Sequence, residues 1–285
     1  MNWKKILAAG ALTAAAAALL VGCGTDNSSQ AEQKLPDKIV IGLDDNFPPM
    51  GFRDESGNLV GFDIDLAQEA SKRLGIPVEF KPIDWDSKEA ALKSKQVDLL
   101  WNGLTITDER AQQIAFSKPY MHNQQLLVVR NDSPITNREG LAGKILGTQE
   151  GSSSINALEK NMDFQKSLSE VKKYGDFVNA FMDLEIGRID GVLVDSVVGR
   201  YYMTKKPGQF KVIDDKMGDE QFGVGLRKDD NLLRDKLNDV LKQMSEDGTM
   251  TKLSQKWFKR RYYHKSTVIG KDVRKTTFRS DDADS

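Results

Sequence analysis

The stretch Gly61–Gly75, GFDIDLAQEASKRLG, decides the fold. Its apolar residues recur at helical spacing and Gly75 stops the pattern, so it reads as an amphipathic helix. On either side lie short apolar runs that read as strands: KIVIGL at 38–43, and PVEFKPI at 77–83. A helix over 87–95, SKEAALKSK, and a strand over 97–101, VDLLW, extend the alternation. Strands alternating with helices predict a parallel-rich α/β sheet covered by helices. A second such set starts at LAGKILGTQ (141–149), runs through EVKKYG (170–175), DFVNAFMDLEIGR (176–188) and DGVLVD (190–195), and ends near FKVI (210–213). Two strands stand apart with no helix of their own, QQLLVVR (124–130) and QFGVGLR (221–227), and read as crossings between two lobes. Helices over 230–246 and 249–259 follow the second crossing.

The chain has 285 residues, enough for two modest domains, and its 39% apolar and 29% charged composition is that of a folded globular protein. With 41 basic and 42 acidic residues the net charge is −1, which argues against a nucleic-acid partner. The first 22 residues read as a processing signal: MNWKK supplies basic charge, and ILAAGALTAAAAALLV is apolar but, at roughly 16 residues, short of the about 20 that span a bilayer. Leu20-Val21-Gly22-Cys23 resembles the bacterial lipobox, in which the cysteine is lipidated and becomes the first mature residue. Cys23 is the chain's single cysteine. An acylated Cys23 would tether the protein outside a bacterial plasma membrane, and the polar segment 23–36 reads as a flexible tether.

Signatures of catalysis and of cofactors are missing. There is no Walker loop, no Gly-x-Gly-x-x-Gly and no Gly-x-Ser-x-Gly elbow. The two histidines, His122 and His264, have no zinc-ligand spacing, so neither a metal nor a cofactor is expected. Polar residues gather instead where strands give way to helices, the edge at which open α/β sheets collect ligands. These junctions are IGLDDNFPPMGF (41–52), WNGLTITDER (101–110), TQEGSSS (148–154) and LVDSVVG (193–199). Arg110 falls one turn into a predicted helix, a poor place for a cation in the helix dipole. A carboxylate held in its guanidinium fork would account for that placement. Gly103 allows a close backbone approach, Thr105 offers a hydroxyl and an N–H, and Ser152–Ser154 offer donors at a helix start. Each has a plainer reading: Arg110 in a surface pair with Asp108 or Glu109, Asp195 and Thr105 as helix caps, Ser152–Ser154 as loop, and Phe47 and Trp101 as core.

Six motifs in consistent order, GFDIDLAQEASKRLG, LTITDERAQQIAFSKPY, LAGKILGTQEGSSS, GRIDGVLVD, FGVGLRKDDNLL and DGTMTKLSQKWF, resemble the bacterial extracellular solute-binding proteins, family 3, over roughly residues 38–258. The resemblance implies a type II periplasmic-binding-protein fold: two α/β lobes joined by two hinge strands, closing on a polar amino acid. It places lobe 1 at 37–122 and 222–260, lobe 2 at 123–221, and leaves 261–285 as a polar tail. It implies that Arg110 binds the ligand α-carboxylate with the N–H groups of Thr105 and Ser153. Asp195, the Gly103 carbonyl and the Thr105 hydroxyl would take the α-ammonium. Phe47 would stack on the ligand side chain, and Asp44 would face it. Ser152, Trp101, Asn102 and Glu150 complete the expected ligand-binding set, Trp101 and Asn102 being departures from the small residues of several relatives. Asp44, Asp45 and Glu150 would favour a cationic side chain; glutamine and cystine are the polar alternatives. An ABC permease with its ATPase is the implied partner of a monomeric, extracytoplasmic receptor. The rival readings are a cyclohexadienyl dehydratase-like enzyme on the same fold, with Glu150 a weak candidate acid, and a ligand-sensing lipoprotein that serves no transporter.

Overall fold

A computed structural model describes residues 34–258. The processing signal, Cys23, all of the tether before Lys34, and the tail 261–285 lie outside the described residues.

The first lobe opens with β1 (Ile39–Leu43), followed by a small antiparallel sheet of β2 (Asn46–Phe47), β3 (Gly51–Arg53) and β4 (Leu59–Val60). Next come α1 (Phe62–Leu74), β5 (Val78–Pro82), α2 (Lys88–Lys93), β6 (Leu99–Leu100), α3 (Asp108–Gln113) and β7 (Ala115–Phe116). The chain leaves on β8 (Met121–Arg130) and builds a second lobe from β9 (Ile145–Gln149), α4 (Ser153–Glu159), α5 (Met162–Ser167), β10 (Glu170–Tyr174), α6 (Phe177–Glu185), β11 (Gly191–Asp195), α7 (Ser196–Lys205) and β12 (Phe210–Phe222). It returns as β13 (Gly225–Leu226), α8 (Asn231–Glu246) and α9 (Thr249–Phe258). Two five-stranded sheets result, ordered β5-β1-β6-β13-β7 and β10-β9-β11-β8-β12. β1, β5 and β6 are parallel, as are β9, β10 and β11, while the crossing strands join antiparallel. This is the parallel-rich α/β architecture that the alternation predicts, with the returning chain completing the first sheet.

The amphipathic α1 turns Phe62, Ile64, Leu66, Ala67 and Ala70 inward and packs against α8 and α9. Burial of that stripe, worth roughly 1.5 to 3 kcal/mol for each large side chain, holds the helix more firmly than its propensity does. In the second lobe α6 buries Phe177, Ala180, Phe181 and Leu184. Its start is fixed by Asp176, whose Oδ1 accepts the Asn179 N–H at 2.8 Å. Asp176→Ala is expected to lower stability by about 1 kcal/mol, read as an earlier urea midpoint at unchanged slope.

The returning chain departs from the sequence pattern, for QFGVGLR is not one crossing strand: Gln221 and Phe222 end β12, and only Gly225–Leu226 form β13. The strand expected to end near Ile213 runs on to Phe222, with register irregularities between Ile213 and Gly218. Its second half, DDKMGDEQF, has no apolar alternation to announce it. Backbone pairing to β8 defines it instead. β8 and β12 thus form a continuous ribbon whose end meets the first lobe through the Thr105–Phe222 bridge.

Candidate functional site

Sheet register assembles one side of the site. Asp195, the last residue of β11, lies opposite Gln125 of β8, and Asn123 lies opposite Glu220 of β12. Residues opposite each other, or two apart along a strand, share a face, so these four side chains converge. Asn123 Nδ2 donates to Asp195 Oδ1 at 2.6 Å and to Glu220 Oε2 at 3.0 Å. Gln125 Nε2 donates to the same two oxygens, each at 3.0 Å. The amides are turned that way by serines at their other ends: Ser154 Oγ donates to Gln125 Oε1 at 2.7 Å and Ser196 Oγ to Asn123 Oδ1 at 3.1 Å. Asp195 occupies the N-cap position of α7 but makes no side-chain cap bond, its carboxylate being committed to the two amides. Burial, followed by the neighbouring Glu220 charge, pushes the Asp195 carboxyl well above its ordinary range.

The first lobe meets this cluster through Thr105. Its Oγ lies 3.1 Å from Ser153 Oγ and donates to Glu220 Oε2 at 3.0 Å, and Ser153 Oγ reaches the same oxygen at 3.1 Å. Ser153 is the first residue of α4, and Thr105 follows the end of β6. The strand-to-helix junctions singled out in both lobes therefore touch.

Arg110 is buried, one turn into α3, which Thr107 caps through the Arg110 N–H. Its guanidinium donates to the Thr105 carbonyl and, across the lobes, to the Gly151 carbonyl, both at 2.9 Å. Nε lies 3.5 Å from Glu89 Oε1, so Glu89 rather than Asp108 or Glu109 is its ion-pair partner. Burial lowers the guanidinium pKa, opposed by the charges of Glu89, Glu220 and Asp195. Lys88, only 2% exposed, also donates to the Gly151 carbonyl, at 2.8 Å, and lies 3.4 Å from Glu89. Burial, then the adjacent Arg110 cation, lowers its pKa to about 8. Two cations of the first lobe thus converge on one carbonyl of the second.

A second meeting place lies at Asp44 and Phe47. Gln149, at the end of β9, donates to Asp44 Oδ2 at 2.7 Å, and the Phe47 and Phe177 rings lie 5.9 Å apart. Burial raises the Asp44 pKa to about 6 against the pull of the Asn46 N–H and the Gln149 amide. Gly103 sits behind Phe47, its N–H bonded to Asp63 at 2.7 Å. Burial raises the Asp63 pKa to about 7, opposed by the Gly103 N–H and the Tyr120 hydroxyl.

The remaining expected residues take other places. Glu150 is exposed and pairs with Lys173 at 3.2 Å. Its carboxylate is solvated on the surface and lies outside the buried cluster. Asp45 is likewise held by Arg53, at 2.6 Å, which leaves Asp44 as the buried acid of the three. Trp101 packs in the core, its ring 6.3 Å from that of Tyr120. Asn102 donates to the Asp44 carbonyl at 2.7 Å, tying its loop to the one after β1, and Ser152 donates to the Gln149 carbonyl at 2.7 Å within its own loop. Sequence reasoning passed over Asn123, Gln125, Gln149, Lys88 and Glu220. For Asn123 and Gln125 a signal was present: polar residues two apart at the head of an otherwise apolar strand, MHNQQLLVVR.

The arrangement brings an arginine of one lobe and a carboxylate of the other together across the seam, with hydroxyls of both between them. Residues 39–260 match the bacterial extracellular solute-binding proteins, family 3. The L-cystine-binding protein TcyJ of Escherichia coli K12 is 33% identical over 85% of this chain and 92% of its own length. The arginine-binding extracellular protein ArtP of Bacillus subtilis is 32% identical over 90% of this chain and 98% of its own. An ABC uptake transporter substrate binding protein from Streptococcus pneumoniae, solved with bound histidine, is 40% identical and superposes with a TM-score of 0.77, covering 80% of this chain and 94% of that one. By the match along its length, the two lobes and the cleft they share, the chain belongs to the bacterial extracellular solute-binding proteins, family 3.

Proposed function

We propose that this solute-binding protein is a lipid-anchored extracytoplasmic receptor that takes a polar or cationic L-amino acid between its lobes and delivers it to an ABC importer. The observation that carries the reading is the contact of Thr105 with Ser153, 3.1 Å apart, between a cation, Arg110, and an acid, Asp195. Both ends of a zwitterion find their complement there, and each lobe supplies part of it. A ligand so held favours the closed arrangement, because closure alone completes its contacts. Charged hydrogen bonds contribute roughly 1.5 to 3 kcal/mol each, so clamping both ends supplies much of the roughly 8 kcal/mol of a micromolar complex. Asp44, buried beside Phe47 and Phe177, is the group suited to a basic or amide side chain. The proteins named for cystine and arginine, and the one solved with histidine, are consistent with that range. The lipobox-like Leu20–Cys23 is the basis for the anchor.

Isothermal titration tests the reading. Protein stripped of carried-over ligand by unfolding and refolding is expected to bind one or a few of the standard amino acids or cystine saturably, with a smaller radius of gyration in solution scattering when bound. A folded sample that binds none of them sinks the assignment, and turnover of prephenate or arogenate would replace it with the enzyme reading.

A further inference from the structure

We propose that Glu220 is a second carboxylate for the ligand's α-ammonium, and that it makes the cleft selective for amino acids over the corresponding hydroxy acids. The inference rests on the amino-acid reading above and goes beyond it, since nothing in the motifs assigns Glu220 a role.

The geometry is specific. Glu220 stands on the returning strand β12, outside both loops that meet across the cleft, yet its Oε2 accepts from Thr105 at 3.0 Å and from Ser153 at 3.1 Å. It shares both amide donors with Asp195: Asn123 Nδ2 and Gln125 Nε2 each lie within 3.0 Å of Asp195 Oδ1 and of Glu220 Oε2. Two carboxylate oxygens are therefore gathered at one point, and the Thr105 hydroxyl lies beside them.

An arrangement of like charges is costly unless one acid keeps its proton or a cation lies between them, and a bound cation takes the proton's place. An ammonium, with three N–H donors and no acceptor, fits such a place. Arg110 offsets part of that charge through space, but its Nη atoms are directed to the carbonyls of Thr105 and Gly151 and bond neither acid. Glu220 also fixes the direction of the Thr105 hydroxyl. When that proton points to Glu220, the oxygen lone pairs are left for an ammonium. A hydroxyl in the ammonium's place carries no charge to offset the two acids, so the hydroxy acid is the isostere that the pair rejects.

The test compares L-arginine, L-histidine and L-cystine with the 2-hydroxy analogues of arginine and histidine, by titration or by competition where affinity is weak. Each protein is first checked for cooperative thermal unfolding. Glu220→Gln keeps the size and an acceptor oxygen but removes the charge. It is expected to lose tenfold or more in affinity for the amino acid that the wild type binds and less than twofold for its hydroxy analogue, narrowing the preference at least fivefold. For cystine, the readout is the tenfold loss itself, with Glu220→Asp retaining at least half of the lost affinity on a logarithmic scale. Should Glu220→Gln fail to fold, Glu220→Ala replaces it with the same expected narrowing. An unchanged preference, or equal losses for the amino and hydroxy ligands, overturns the proposal while leaving the amino-acid reading in place. A wild type that binds none of the standard amino acids and no cystine overturns both.

Discussion

Arg110→Ala is expected to weaken binding of the cognate amino acid by two to three orders of magnitude, about 3 to 4 kcal/mol. Removing one partner of a buried, hydrogen-bonded charge pair costs roughly 2 to 5 kcal/mol, because the other charge is left desolvated. Arg110 is 7% exposed and lies beside the contact of Thr105 with Ser153, so a ligand carboxylate brought there has lost most of its water. Alanine leaves it with hydroxyls, N–H groups and the Lys88 ammonium, which is already committed to the carbonyls of Trp85 and Gly151. Arg110→Lys is expected to recover only part of the loss, since an ammonium lacks the planar fork that grips both carboxylate oxygens. Folding should suffer less than binding. The carbonyls of Thr105 and Gly151 that Arg110 satisfies belong to loops facing the cleft, and water reaches them when the lobes part. Titration calorimetry with a parallel thermal melt separates the two effects. Binding within threefold of wild type by a folded Arg110→Ala protein would falsify the carboxylate assignment.

The legibility of this site followed the chemistry of its junctions. Arg110 was conspicuous because its position one turn into a helix serves the helix poorly, and Asp195 because it ends an apolar strand. Thr105 and Ser153 were legible from the same rule: donors collect where parallel strands stop. Glu220 had no such mark. It lies in DEQF, a charged run that resembles any solvated surface. Only the antiparallel register with β8, which sets Glu220 opposite Asn123, carries it into the cleft. Lys88 was hidden for a related reason. In SKEAALKSK it reads as the polar face of a helix, and its burial comes from the other lobe's Gly151 lying against it. Long-range pairing leaves no local pattern in one chain. Glu150 shows the converse, since a carboxylate adjacent in sequence to a site loop stands on the surface, paired with Lys173.

For the fold, the helices and parallel strands were legible because each buries one face and so writes a period into the sequence. β12 was half legible. Its first residues, Phe210–Ile213, are apolar, whereas the hinge half takes its order from backbone bonds to β8 and need not alternate. The first crossing strand, β8, was recognisable by what it lacked, a helix of its own, whereas the second was placed too late in the chain, on 221–227, when β12 makes that crossing and ends at Phe222.

Gly61→Ala is expected to destabilise the protein by about 3 kcal/mol or more, or to prevent folding altogether. Gly61 precedes α1 with φ 145° and ψ 172°, a backbone region essentially reserved for glycine. α1 has no side-chain cap at its start. The turn between β2 and β3 supplies one with its own backbone: the Phe62 N–H donates to the Pro49 carbonyl and the Asp63 N–H to the Met50 carbonyl, both at 2.8 Å. For that turn to approach, the residue before the helix must have no side chain. A Cβ on Gly61 would lie 2.1 Å from the Met50 oxygen and 2.5 Å from its carbon, backbone atoms that cannot swing aside as a side chain can. The methyl group must therefore part the turn from the helix, breaking bonds that satisfy α1 and displacing the hairpin that carries Phe47. Gly57→Ala is the control. Gly57 also has positive φ, 81°, but a Cβ there meets nothing within 4 Å, so only the left-handed backbone cost of about 1 kcal/mol is expected. Urea unfolding of the two variants separates conformational strain from the close approach: similar losses at both positions would mean that the turn yields, whereas a loss at Gly61 about three times larger means that the contact between turn and helix is rigid.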